Sequence, residues 1–417
     1  MSATAPTDPT TARPPLTGIT VLEVGVFMAA PFAAMQLADL GARVVKVEDP
    51  RSGDPVRASG PFVDGESSPY LRLNRNKESV ALDLKSDAGR RAFLALVETA
   101  DVVIENLRPG AMARLGLDAA GIRAVNPRVV YASGSGWGQD GPLAPLPGLD
   151  IMAQARSGLM SITGTPGGEP VKVGVPVCDL VCGLYLALAV TAALRERDRT
   201  GVGQSVDVSL FEAGTSLAVW EAGRYFATGE VGGPLGSAHQ SQAPYQAFRT
   251  ADGWVTIGAN TPNTWAGLCR TLGMDAELAD ERYADATRRH ALREELARTI
   301  EERTTTRTTA DLVAALDAAG VPCAPISDYG QVFTDEHLRA RDFFWDAPHP
   351  TLPPQRQIGN PMRLSASPAV RDHAGPPLGA DTRAVLTRAG VPADVVDAVA
   401  GPVAHPQPAP VAPGEGA

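Results

Sequence analysis

From residue 16 onward, short β-branched runs alternate with helical patterns. The segments 21–24 (VLEV), 44–48 (VVKVE), 102–105 (VVIE) and 129–133 (VVYAS) read as strands, while PFAAMQLADLG from Pro31 and a stretch near 87–100 read as helices. This rhythm predicts βαβ units and a parallel sheet. Pro31 suits a first helical turn and Gly41 the position just past a helix end. A doubly wound sheet holds its ligand at the strand carboxyl ends, so the residues after Val24, Glu48 and Glu105 matter most for function.

Farther along, residues 175–194 form an apolar run in which Asp179 is the only side chain charged at neutral pH. Its length would permit a membrane span. The aspartate near one end and the βα rhythm on both sides favour instead a buried helix of a soluble domain. VDVSLF (206–211) then reads as a strand, followed by one long helix to about residue 229 and a Gly-, Ser- and Gln-rich loop at 232–243. YQAFRTADGWVTIGA reads as a hairpin turned at Ala251, Asp252 and Gly253, and three helical stretches run on to about residue 319. The expected fold is α/β. A large Rossmann-like parallel-sheet domain spans 16–229, a smaller α+β domain 230–325, and 326–400 return to the large domain. Residues 1–15 and 401–417, rich in proline and poor in large apolar groups, are expected to be disordered tails.

Composition narrows the partners. Of 417 residues, 37 are Lys or Arg and 47 Asp or Glu, giving a formal charge of −10. With no basic block, such a chain repels a phosphate backbone, so small molecules are better partners than nucleic acid. Cys178, Cys182, Cys269 and Cys323 form no C-x-x-C pair, and His239, His290, His337, His349, His373 and His405 have no ligand spacing, so no metal is expected. The N-terminal residues lack the charged start and apolar core of a secretory signal, so a cytoplasmic location is expected. The turn Gly25-Val26-Phe27-Met28-Ala29 is not a dinucleotide fingerprint, and neither a Walker loop nor a G-x-S-x-G elbow occurs. Gly134-Ser135-Gly136-Trp137-Gly138 follows a strand, but a flexible turn accounts for it equally well.

Two carboxylates stand out. Pro176 places Asp179 in the first turn of its helix, where the dipole favours an anion; on these residues alone a plain helix cap is the better account. Asp150, in PGLDIMAQARSG, has the same reading. Basic residues gather at Arg72, Arg75, Lys77 and Lys85, and at Arg108 and Arg114, where strand ends would present them to a ligand with several phosphates.

At these residues the chain resembles the family III CoA-transferases, the group of formyl-CoA and carnitine CoA-transferases, with α-methylacyl-CoA racemase as a divergent branch. The likeness runs from about residue 16 to 390. It rests on LTGITVLEVG, APFAAMQLADLGARVVKVE, Gly53-Asp54 with Arg57, LNRNKESVALDLK, ADVVIENLRPGAMARLGL, NPRVVYASGSGWGQDGP, VCDLVCGLYLALAVTAALRERDRTGVGQSVDVSLFEA, ADGWVTIGA and GVPCAPI. The resemblance implies that Asp179 is the aspartate that becomes covalently acylated, which reverses the cap reading, with Asp150 in possible support. It implies CoA contacts at Phe27, Met28, Leu82, Lys85, Asn106, Leu107 and Arg114. Where formyl-CoA transferases carry a basic residue directly after the strand-end glutamate, this chain has Asp49, and only Arg51 is near enough to substitute. Their polyglycine lid is replaced by Gly236-Ser237-Ala238-His239-Gln240-Ser241.

The implied reaction moves CoA from an acyl-CoA to a free acid through an aspartyl thioester, with no metal, nicotinamide or flavin and no membrane partner. Backbone amides near Phe27, Met28 or the 236–241 loop are candidate oxyanion donors. An interlocked homodimer is implied as well. Racemisation pairs a histidine with the aspartate, and Leu149 occupies the histidine's place here. A silent acyl-CoA-binding module is the other alternative. A nicotinamide oxidoreductase is disfavoured by the absent glycine fingerprint.

Overall fold

The computed structural model describes residues 13–401, so the two expected tails fall almost wholly outside the described residues. Of the first tail, residues 13–15 are described, and the Pro14 carbonyl accepts a hydrogen bond from Thr17.

The described chain divides into two compact units. The first takes the residues up to 159, then 172–222 and those from 339 on; the second takes 160–171 and 223–338. These boundaries differ from the expected 230–325. Residues 160–171 join the second unit, where the Gly164 carbonyl accepts from the Gly236 amide, a long-range pairing that no local pattern announces. The first unit resumes at 339 and not at 326.

The first unit is built on six parallel strands: β1 (Thr20–Val24), β2 (Arg43–Glu48), β3 (Lys77–Ala81), β4 (Val102–Glu105), β5 (Val130–Ser135) and β6 (Ser205–Ser209). Their order is β3-β2-β1-β4-β5-β6, so the chain reverses its winding between β1 and β4. Such a switch point leaves an open crevice at the carboxyl ends. Alternation along each strand feeds two cores. Val21, Val44, Val102, Ile104 and Ala132 pack under helices α1 (Ala29–Asp39) and, later in the chain, Val177–Thr200. Leu22, Val45, Val47, Val80 and Val103 pack under α2 (Asp87–Val97), α3 (Ala119–Val125) and the C-terminal helix Ala393–Val399. Gly41 follows α1 at φ +97°, as its position past the helix end requires.

Next come α4 (Asp150–Arg156) and α5 (Val177–Thr200). Among the described residues α5 is the one helix long and apolar enough to cross a membrane. It is not buried all round. Cys178, Cys182, Leu186, Val190 and Leu194 pack inward at helical spacing, while Leu184, Tyr185 and Leu188 are exposed on the other side. The expected strand 206–211 ends earlier, at Ser209, and the expected single helix after it is two: α6 (Leu210–Ser216) and α7 (Val219–Thr228). Ser209 and Glu212 explain the first difference. The Ser209 hydroxyl accepts from the Glu212 amide and donates to its carboxylate, which starts a helix where β-branched residues suggested a strand.

The second unit carries the hairpin β7 (Tyr245–Arg249) and β8 (Trp254–Gly258), closed where the Thr250 amide meets the Gly253 carbonyl, with β9 (Cys323–Pro325) antiparallel to β8. Phe248, Val255 and Ile257 pack against Trp265, Leu296, Ile300, Leu312 and Leu316 of α8 (Pro262–Leu272), α9 (Arg293–Thr304) and α10 (Thr309–Ala318). The three expected helical stretches are broken further by short helices at Asp275–Ala279 and Ala286–Ala291; the Asp285 side chain caps the latter by accepting from the Arg288 amide.

Candidate functional site

The turn after β1 is fixed by side chains from neighbouring strand ends. Asn106, just past β4, accepts from the Val26 amide and donates to the Val26 carbonyl, both at 2.8 Å. The Phe27 amide donates to Asp54 at 3.0 Å, and Phe27 itself sits at φ +57°, a conformation rare for an aromatic residue. Beside this turn lies a cavity of about 250 Å³ lined by Val26, Glu48, Asp49, Leu82, Lys85 and Leu107 among others. Of the implied CoA contacts, Leu82, Lys85 and Leu107 therefore share one cavity at the strand ends, and Asn106 builds its rim through Val26.

The proposed nucleophile lies at the start of α5. Pro176 offers no side-chain cap; Asp150 supplies one from another helix, its Oδ1 accepting from the amides of Cys178 at 2.9 Å and Asp179 at 3.3 Å. Asp150 is itself gripped by the buried Gln154, which donates to Oδ2 at 2.6 Å. So the capping role that either aspartate might have played belongs to Asp150, and the Asp179 carboxylate has no hydrogen-bond or ion-pair partner among the described residues. Burial, helped by the neighbouring Asp150 charge, pushes Asp179 up to about 7.

Glycines set the distances around it. A Cβ on Gly183, one turn beyond Asp179, would lie 2.8 Å from the Ala29 carbonyl oxygen, so only glycine lets α5 rest on the first turn of α1. Gly134 is pressed against Leu186 of α5 and the Asn106 side chain, and Gly136 against the backbone of Gly148, just ahead of Asp150. The glycine run after β5 is thus a packing device and not only a flexible turn. Together these contacts bring the aspartate helix, the Asp150 cap and the β1 turn into one corner of the first unit.

Several expected ligands of phosphate do not face a ligand. Lys77 is fully buried, 2.7 Å from Glu23, and Arg75 is buried on Asp39 at 2.6 Å. Arg72 donates to Ser68. Arg51 is exposed but closes bidentately on Asp49, at 3.0 and 2.6 Å, so the two residues that stand where a single basic residue was expected neutralise one another. Lys85, Arg108 and Arg114 remain exposed. In the second unit, the amides of Gly236, Ala238, His239 and Ser241 are already bonded to Gly164, Leu235, Tyr245 and the His239 ring, which removes them as oxyanion donors.

The sequence reading passed over Lys46 and Gln154 and named Asp54 only as part of a motif; all three are buried. The signal was present for Lys46 and Glu23: each is a charge in the middle of an otherwise apolar strand of a sheet covered on both faces, and such a charge must be paired. Glu105 was noted only as a strand end. Burial pushes it up to about 7, against hydrogen bonds from Ser133 and the Leu107 amide, and it lines a second cavity of about 450 Å³ with Arg108, Tyr131 and Asp207.

Comparison with known proteins places this corner in context. The profile of CoA-transferase family III matches residues 16–382. The chain is 38% identical to the succinate–glutarate CoA-transferase of Agrobacterium fabrum, over 91% of this chain and 97% of that protein. It is 34% identical to the acetyl-CoA:oxalate CoA-transferase of Acetobacter aceti, over 89% and 95%. Its fold superimposes on the crystal structure of a CaiB/BaiF family protein from Brucella suis with a TM-score of 0.83 at 35% identity, covering 90% of this chain and all of that one.

Proposed function

We propose, from the premise that this chain belongs to the family III CoA-transferases and is an enzyme of that family, that it moves CoA between two carboxylic acids through a thioester on Asp179. The observation that carries this reading is a desolvated carboxylate without a cation, at the capped start of a helix packed on the first turn of α1. A nucleophile needs an available anion, and a carboxylate locked in an ion pair is a poor one.

Ionised Asp179 attacks the acyl carbonyl carbon, and the C–S bond breaks to give an aspartyl-acyl anhydride and CoA thiolate. The thiolate attacks the aspartyl carbonyl, expelling the donor as its carboxylate and leaving aspartyl-CoA. The acceptor carboxylate attacks that thioester, and the released thiolate attacks the acceptor's carbonyl, restoring Asp179. Donor, intermediate and product are all thioesters, so each exchange is nearly balanced in energy. The Met28 amide, unbonded among the described residues at the start of α1, is one remaining candidate for stabilising the oxyanions. The relatives named for succinate, glutarate and oxalate put small dicarboxylates first among donors and acceptors to test.

A homodimer belongs to the same reading, supported by the exposed Leu184, Tyr185 and Leu188 on a helix otherwise packed inward; light scattering of the purified protein checks it. The racemase alternative is disfavoured because Leu149, exposed at the start of α4, can neither accept nor deliver a proton. One experiment separates the two. The enzyme is incubated with acyl-CoA donors and free acids in deuterated water and the products are read by mass spectrometry. CoA should appear on the acceptor acid with no deuterium gained beside the thioester. Deuterium entering at catalytic rates without CoA exchange would overturn the transferase reading.

A further inference from the structure

Beneath the β1 turn lies a set of buried charges that the transfer chemistry does not use. Strand alternation puts Glu23, Lys46 and Lys77 on the face covered by α1, and register sets Lys46 beside Glu23. Lys46 Nζ lies 2.7 Å from Glu23 and 2.9 Å from Asp54, with none of these side chains exposed, and donates to the Gly25 carbonyl at 2.8 Å. The second Asp54 oxygen accepts from the Phe27 and Val56 amides, both at 3.0 Å. With Asn106 on Val26, the Gly25 carbonyl, both polar groups of Val26 and the Phe27 amide are all held by side chains from elsewhere in the sequence.

This matters because Phe27 is left-handed. A non-glycine residue there is strained and stays only where its surroundings over-determine it. Fully buried ion pairs are in themselves weak stabilisers, so stability alone is a poor account of why this one is present. The residue after Phe27 supplies the unbonded Met28 amide and opens α1, whose first turn rests on Gly183 next to the nucleophile's own turn.

We propose that Asp54, locked in place by Lys46, is a positioning residue: it holds Phe27 in its left-handed conformation and so aims the Met28 amide and the start of α1 at the thioester. The proposal rests on the reading of Asp179 as the site of transfer, and it assigns a task to two fully buried residues.

The test is a double-mutant cycle of Asp54→Ala and Phe27→Gly, read as kcat/KM for exchange and as affinity for CoA alone, with thermal unfolding alongside. Releasing the turn in Asp54→Ala should lower kcat/KM about 10²-fold, the usual penalty for a misplacement near 1 Å. Phe27→Gly loses the ring and costs activity by itself. Glycine enters the left-handed region without strain, so Asp54→Ala should cost roughly tenfold less in that background. Equal penalties in both backgrounds would overturn the proposal. Should Asp54→Ala not fold, amide hydrogen exchange in the wild-type protein decides: Phe27 should be strongly protected and Met28 not, and equal exchange at both sinks the idea. A wild-type protein that binds CoA but transfers none would overturn the proposed function, while the cycle would still be read in CoA affinity.

Discussion

Glu48 is a buried and Asp179 a half-buried carboxylate of the same unit, and they lie in opposite electrostatic settings. Glu48, closing β2, accepts from Arg57 Nε and Nη2, each at 2.8 Å, and from the Ser79 hydroxyl at 2.7 Å. Burial alone would raise it, but the Arg57 hydrogen bonds and charge outweigh burial and hold it at about 2. Asp179, less deeply buried, meets desolvation with no cation and a second carboxylate nearby, and stands at about 7. Desolvation acts in one direction on both; the partner decides the outcome. A carboxylate tied into an ion pair serves architecture, and one left without a cation is available for chemistry.

The sharpest break of this contrast is Asp179→Ala. Exchange should fall by at least about 10³-fold, because the covalent route has no second nucleophile; Asp179→Asn tests charge at nearly constant shape. Near-native turnover by either variant would remove Asp179 from the mechanism. Neither change should lower the unfolding temperature, since each removes a desolvated carboxylate that nothing offsets.

The Glu48–Arg57 pair should behave in the opposite way. Arg57→Ala strands Glu48 without its cation and should cost roughly 3–5 kcal/mol of stability in urea unfolding. A loss under about 1 kcal/mol would mean the pair is not the support its geometry indicates.

The two carboxylates should also titrate with opposite sign. Glu48, held below its ordinary 4.5, contributes stability above that value, lost as pH falls toward about 2. Asp179, held above its ordinary 3.8, is favourable only in its protonated form, so its contribution is lost as pH rises through about 7, and the Asp179→Asn variant should lack that loss. The nucleophile must be ionised, so exchange should decline below about pH 7, and Asp150→Asn should move that midpoint downward by removing the neighbouring charge. A profile unmoved by Asp150→Asn would leave burial as the whole cause.

The smallest effects belong to the exposed cations. Lys85→Ala and Arg114→Ala should each raise the acyl-CoA requirement by about threefold to tenfold and reduce its dependence on salt, as solvent-screened phosphate contacts do. Unchanged donor affinity in both variants would move the CoA phosphates elsewhere.

The sequence by itself determined the parallel sheet, the helix carrying Asp179 in its first turn, and the hairpin of the second unit, because strand alternation, helix capping and tight turns are written in residues a few positions apart. Even the error at 206–211 was local, a Ser209–Glu212 capping signal outvoted by β-branched neighbours. Only tertiary structure decided which charges were spent. Nothing near Lys77 or Arg75 foretells that Glu23 and Asp39 absorb them, and nothing near Asp179 foretells that Asp150, 28 residues before Cys178, caps its helix. The glycines at 134 and 183 look like flexibility until Leu186 and the Ala29 backbone press on them. Pairing of charges and close approach of backbones depend on distance in space, and a carboxylate's reactivity follows from which partners fail to reach it.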